Sequence, residues 1–273
     1  MSVVWVAILA GAMAIFATVS IEKFGGTLGG LLSSLPTTII PASLGFLSHA
    51  STPLELTTSL AVVPIGMLIN AIFLYTWRVL PPKFSAVSSL KVRLAWMSLA
   101  SLMVWAISAA TFVMSMSLVS DEQVLWFGIL GQIVLLGFGI WACKDGIPAP
   151  KGNRAVSIPV LLSRGLLSGL AIGFSAWISG LGYPILAGMA SVFPAIFLTT
   201  MVSIWLSQGE AVQAGAVGPM MLGSSSVALY ALLCIFTFPT FGTTSGVILA
   251  WTFSIGLVSI PAWWWLQRKQ IAG

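Results

Sequence analysis

Side chains able to do chemistry are few in this chain of 273 residues: six Asp and Glu, one His and two Cys. Two of the carboxylates stand out by position. Glu55 and Glu210 lie 155 positions apart, and each opens a long apolar stretch. In the first turn of a helix a carboxylate caps exposed amides and complements the helix dipole. At the mouth of a transporter the same group serves as a proton or cation site, or as a gate contact. Both roles are open to Glu55 and Glu210. His49, the only histidine, falls in the turn just before Glu55. It is either a solvated interfacial ring or a partner of Glu55 in a proton- or metal-sensitive entrance.

A second concentration of polar atoms surrounds a proline. Residues 25–30 read Gly-Gly-Thr-Leu-Gly-Gly, and Ser33, Ser34, Pro36, Thr37, Thr38 and Pro41 follow. Each proline removes a backbone donor and crowds the preceding turn, so a helix through this segment is expected to kink or break near mid-membrane. The hydroxyls then either satisfy freed backbone groups or face a solute. A corresponding segment carries Gly188, Ser191 and Pro194 with fewer hydroxyls after the proline. Pro64 and Pro219 form another matched pair, with Asn70 and Ser225 at equivalent mid-span positions. In hydrocarbon Asn70 needs a partner, either a ligand or a neighbouring helix. Simple bending of tightly packed helices also accounts for the prolines. Gln132, Gln208 and Gln213 are further polar candidates without an assigned role.

Several chemistries have no residues to support them. There is no phosphate-binding loop, no dinucleotide fingerprint and no catalytic constellation, so no enzymatic activity and no cofactor are expected. One His and six acids make a resident metal cage hard to assemble, and no metal site is expected. Cys143 and Cys234 fall near opposite faces of the membrane in the trace below and are expected to be unbonded packing residues.

The elements holding these residues must be membrane helices. Hydrophobic residues make up 58% of the chain and charged ones 6%, against about 25% charged in soluble domains. A hydrocarbon core of about 30 Å takes roughly 20 apolar residues per helix. On that measure the chain is expected to be an all-α integral membrane protein with about nine transmembrane helices. They fall near 2–20, 25–48, 54–79, 94–119, 123–143, 158–179, 183–206, 210–236 and 244–266. The runs are continuous and do not alternate, which excludes barrel strands. The first run lacks a basic leader and is expected to be a retained helix.

The net charge of +5 is explained by its distribution. With the N-terminus outside, every Lys and Arg falls on the cytoplasmic side, from Lys23 through the basic stretch Arg78–Arg93 to Arg268 and Lys269. Asp121 and Glu122 occupy an external turn. This positive-inside pattern predicts a multi-pass protein of the cytoplasmic (inner) membrane, with an external N-terminus and an internal C-terminus. It needs no nucleic-acid partner. Arg164, in the first turns of its helix, is expected to snorkel to the interface. A trace with re-entrant second and seventh segments would scatter the charges.

The halves repeat. Gly169, Phe174, Gly188, Ser191 and Pro194 follow Gly11, Phe16, Gly30, Ser33 and Pro36 by 158 positions. After one three-residue gap, Glu210, Val217, Pro219 and Tyr230 follow Glu55, Val62, Pro64 and Tyr75 by 155. An odd number of crossings separates the copies. The expected plan is therefore two inverted four-helix repeats, 1–120 and 158–273, joined by a connector helix and basic loop at 121–157, with helices 2 and 7 broken by proline. Such a plan predicts a permease carrying a small polar solute by alternating access, coupled to protons or Na⁺ through Glu55 or Glu210. Substrate contacts are expected from Ser33, Ser34, Pro36, Thr37, Thr38, Asn70, Ser191, Pro194 and Ser225. A channel or facilitator, a metal-ion transporter, and a non-transporting subunit or lipid-handling protein are the alternatives. Membrane lipid and a small solute or ion are the expected partners, and homo-oligomerisation is left open.

Overall fold

A computed structural model describes residues 1–24, 35–84, 89–116, 118–144 and 158–272, and among them every regular element is helical. The order is α1 (Val3–Phe24), α2 (Ile39–His49), α3 (Pro53–Val79), α4 (Leu90–Met116), α5 (Asp121–Ala142), α6 (Ile158–Gly180), α7 (Pro184–Ser191), α8 (Ala195–Gln208), α9 (Glu210–Ser254) and α10 (Ile260–Ala272). A 3₁₀ turn follows α3 at Pro81–Phe84, and a π-turn at Ile255–Ser259 joins α9 to α10. Six stretches are long and apolar enough to cross a membrane: Pro53–Val79, Leu90–Met116, Glu122–Ala142, Ile158–Gly180, Pro184–Leu206 and Gln213–Arg268. Shorter apolar helices occur at Val3–Phe16 and Ile39–His49. The chain is a multi-pass helical membrane protein.

Helix α3 is the centre of the bundle. In its most apolar window 72% of residues are buried within the protein, against 17% for α4, which leaves α4 facing lipid. Around α3 pack α9, α5, α7 and α4. Glycines allow the closest approaches: Gly128 of α5 lies against the Ala61 carbonyl, and Gly188 of α7 against the Ser59 carbonyl. A side chain at either position would collide with backbone, as in small-residue packing between membrane helices generally.

A second tight seam joins α1 to α6. A Cβ on Gly169 would lie 2.8 Å from the Ala7 oxygen and 3.8 Å from the Gly11 Cα. Further along, a Cβ on Gly173 would lie 2.9 Å from the Ala7 Cβ, and one on Gly165 2.7 Å from Ile15 Cδ1. Residue numbers rise on one helix as they fall on the other, so α1 and α6 are antiparallel. The same holds for α3 and α9: Arg78, near the end of α3, donates to the Ala214 carbonyl near the start of α9.

Proline acts differently at different places. Pro53 sits in the first turn of α3, where no intrahelical donor is needed, beside the N-cap Thr52. Pro41 occupies the third position of α2 and breaks nothing. Pro64 and Pro219 lie inside α3 and α9. Pro194 does end a helix, since Val192–Pro194 separates α7 from α8. The reversal expected between 236 and 244 is narrower than a loop. Helical structure runs through Pro239 and breaks at Gly242, whose φ of 74° and ψ of 175° suit only glycine. Thr237 Oγ1 then donates to the Gly246 oxygen at 3.1 Å. Leu222 shares a buried cluster with Ala262 and Leu266. In one straight helix those residues would be roughly 60 Å apart, so the chain turns back on itself.

Candidate solute-binding site

One cavity of about 60 Å³ lies where the turn into α2 meets the α7–α8 break, with Thr38, Asn70, Ser168 and Ser191 among mostly apolar lining residues. Leu35, Thr38 and Ile39 reach it from the start of α2, Met67 and Asn70 from α3, and Ser168 and Ile172 from α6. The α7–α8 break contributes Ser191, Val192, Phe193, Ile196 and Phe197, and α9 contributes Val227. The volume is far below the roughly 300–1,000 Å³ of drug-sized sites. It suits a solute of a few heavy atoms.

Asn70 ties the break together. In a continuous helix the Val192 carbonyl would accept from the amide of Ile196, four residues on. Pro194 prevents that continuation, and Asn70 Nδ2 donates to the freed Val192 oxygen at 2.8 Å. Asn70 is 2% exposed, and its Oδ1 has no partner. Of the two partners open to Asn70 from sequence, a neighbouring helix supplies one here, and the side chain also lines the cavity. Ser191 Oγ is satisfied locally by the Gly188 carbonyl at 2.7 Å. Thr38 is the N-cap of α2 but makes no side-chain capping bond.

The remaining sequence candidates are scattered. Ser33 and Ser34 lie outside the described residues. Pro36 and Thr37 belong to the turn leading into α2, where the Thr37 amide donates to Leu35 at 2.7 Å. Neither is among the cavity residues, nor are Pro194 and Ser225. Ser225 has a buried, unpartnered Oγ, while its carbonyl accepts from Gln132 Nε2 at 3.2 Å. Gln213 is fully buried, and its Nε2 meets the Met201 sulfur at 3.3 Å.

Glu55, Glu210 and His49 stand away from the cavity. Thr52 Oγ1 accepts from the Glu55 amide at 3.2 Å, and the Glu55 carboxylate accepts from the Ser51 amide at 2.7 Å. This arrangement resembles a capping box, except that the carboxylate accepts from the residue before the N-cap instead of from Thr52 itself. Glu210 instead pairs with Arg93 at 2.7 Å. The same guanidinium donates to the Pro81 carbonyl at 3.0 Å and lies over the Trp205 ring, 5.4 Å from its centroid. His49 Nδ1 is 2.9 Å from the Gly45 oxygen of its own helix. Among the described residues no group of three or more His, Cys, Asp or Glu is gathered as metal ligands would be.

Sequence did not single out Ser168, and it placed Arg164 differently. Ser168 lines the cavity at 4% exposure with an unpartnered Oγ. Arg164, one helical turn earlier on the same face of α6, does not snorkel. It is 4% exposed and donates from Nη2 to the Thr199 carbonyl of α8 at 3.4 Å. Their spacing of four was the available signal, because it sets both on one helix face. Serine is common in membrane spans, however, and an arginine near a helix end usually reaches outward.

The fold and cavity together define a multi-pass helical membrane protein with a small cavity among its described helices, lined by four polar side chains. Comparison with protein-family models, with curated proteins and with solved structures finds no match.

Proposed function

We propose that this chain is a secondary transporter of the cytoplasmic membrane, moving a small polar solute by alternating access. The observation that carries the proposal is a cavity between the turn into α2 (Leu35, Thr38, Ile39) and the α7–α8 break (Ser191, Val192, Phe193, Ile196, Phe197), with Asn70 and Ser168 beside it. Discontinuous helices converging near mid-membrane are the usual way transporters expose backbone to a substrate. In this plan nine crossings divide into two inverted repeats, 1–120 and 158–273, around the connector at 121–157.

Inversion is supported by how α1 meets α6. Adding 158 to Ala7, Gly11 and Ile15 gives Gly165, Gly169 and Gly173. The contacts Ala7–Gly173 and Ile15–Gly165 then exchange places, and Gly11–Gly169 maps onto itself. Contacts that interchange in this way are what a two-fold axis through the Gly11–Gly169 crossing requires. The charge distribution supports an external N-terminus and internal C-terminus. On that orientation the Arg93–Glu210 pair ties α4 to α9 at the cytoplasmic end, where it acts as a gate contact. The capping geometry at Glu55 favours a structural role for that carboxylate.

Flux into proteoliposomes tests the proposal. Saturable uptake that follows an imposed gradient, and that is competed by unlabelled solute, is the expected result. Fast flux that never saturates would make the protein a channel. Absence of flux for charged and neutral small solutes alike, with the protein folded, would point to a non-transporting role.

A further inference from the structure

The geometry points to a small 2-hydroxycarboxylate, of the size of glycolate or lactate, as the solute of the Asn70–Ser168 cavity; this rests on the transporter reading above and names its substrate class. The first requirement is a donor. A carbonyl only accepts, so the bond from Asn70 to Val192 fixes the amide with nitrogen toward Val192 and oxygen away from it. Oδ1 is left as a deeply buried acceptor without a partner on a cavity-lining residue. An O–H or N–H on the occupant would meet that acceptor, and leaving it unmet is costly.

The second requirement is negative charge. Helix α8 begins at Ala195, and its first-turn residues Ile196 and Phe197 line the cavity. The carbonyls their amides would use in a longer helix are engaged elsewhere: Val192 accepts from Asn70, and Phe193 accepts from the Ala195 amide at 2.8 Å. First-turn amides and the positive end of the helix dipole favour an anion. Ser168 Oγ, buried and unpartnered, adds a hydroxyl donor.

The third requirement excludes the amino acids. Among the described residues no Asp or Glu lines the cavity, so an ammonium group there would be desolvated without a counter-charge. A neutral hydroxyl meets Asn70 Oδ1 without that penalty. Carboxylate toward α8 and Ser168, hydroxyl toward Asn70, and a carbon skeleton against Met67, Ile172 and Val227 satisfy the three requirements at once. The volume of about 60 Å³ admits only the shortest members of the class.

Calorimetry and thermal shift on the purified full-length protein test this with five probes: glycolate, lactate, propionate, glycine and 1,2-propanediol. Glycolate and lactate are expected to bind. Propionate, which cannot satisfy Asn70, is expected to bind roughly tenfold or more weakly. Glycine and 1,2-propanediol are expected not to bind. Ser168→Ala removes a hydroxyl without breaking any bond within the protein, so it should fold normally and weaken both hydroxy acids several-fold. Glycine or the diol binding better than lactate, propionate binding as well as lactate, or no probe binding at all overturns the assignment. Flux separates this failure from that of the transporter reading. Hydroxy acids that bind but never cross would keep the site and sink the carrier. Saturable uptake of glycine or the diol with no hydroxy-acid binding would keep the carrier and sink the assignment.

Discussion

On the proposed reading Asn70 uses one amide both to hold the Val192 carbonyl and to meet the solute, which would make it the most sensitive position in the site. Asn70→Leu keeps the volume but leaves the Val192 carbonyl buried and unpaired, which costs about 1–3 kcal/mol. A lowered thermal midpoint together with lost uptake is the expected result; unchanged stability would remove Asn70 from the break. The two repeat carboxylates are expected to part company. Glu55→Gln leaves the Thr52 cap in place and should cost no more than about 1 kcal/mol, with uptake unchanged. Glu210→Gln severs the pair with Arg93, a half-exposed contact worth roughly 0.2–1 kcal/mol to stability. Its consequence should instead be read in the transport rate. Swapping the charges, with Arg93→Glu and Glu210→Arg together, should recover part of that rate if the pair is the contact that matters. Sequence brought out Glu55, Glu210 and Asn70 because their types are rare in hydrocarbon. It had no means of ranking Ser168 above the many other serines, since burial without a partner is a property of packing.

At the scale of elements, the tests concern the seam and the break. Gly169→Ala would press a methyl onto the Ala7 carbonyl and force α1 away from α6. Gly137→Ala meets nothing within 4 Å and is a matched control, expected to be neutral or stabilising by up to roughly 0.5–1 kcal/mol from the better helix former. Equal losses at the two glycines would contradict the close α1–α6 crossing. Pro194→Ala restores an amide where none existed and lets α7 and α8 approach a continuous helix. Stability should hold or rise while uptake falls, because the first turn of α8 would no longer face the cavity. Prolines at 36, 41 and 194 carry the same local signal, yet only the tertiary setting distinguishes their effects. Pro41 falls in a first turn where its missing donor is not needed, whereas Pro194 interrupts a helix whose freed carbonyl is met by Asn70.

For the whole molecule, orientation is the first quantity to check. In a variant lacking Cys143 and Cys234, both of which are buried, Ser51→Cys should react with a membrane-impermeant thiol reagent in intact cells. Lys83→Cys and Arg268→Cys should react only after permeabilisation. The reverse pattern would invert the topology, and labelling of all three would break the alternation of crossings. Basic residues commit to one side during insertion, which is why the orientation can be argued without coordinates.

The sequence by itself determined that the chain is a helical membrane protein, where most helices fall, and where proline strains them. These properties depend on local composition and on the cost of leaving backbone polar groups unmet in lipid. Matched residues in register are the ground on which the inverted repeat is proposed. Tertiary structure decided which polar groups share one space. Asn70 and Val192 are 122 positions apart, and no local pattern announces that one will supply the bond the other lost. Residues of α3, α6 and the α7–α8 break line one gap, where polar atoms of Asn70 and Ser168 have no partner among the described residues. Interhelical packing creates that gap, and packing is a sum over contacts that the order of residues along the chain does not display.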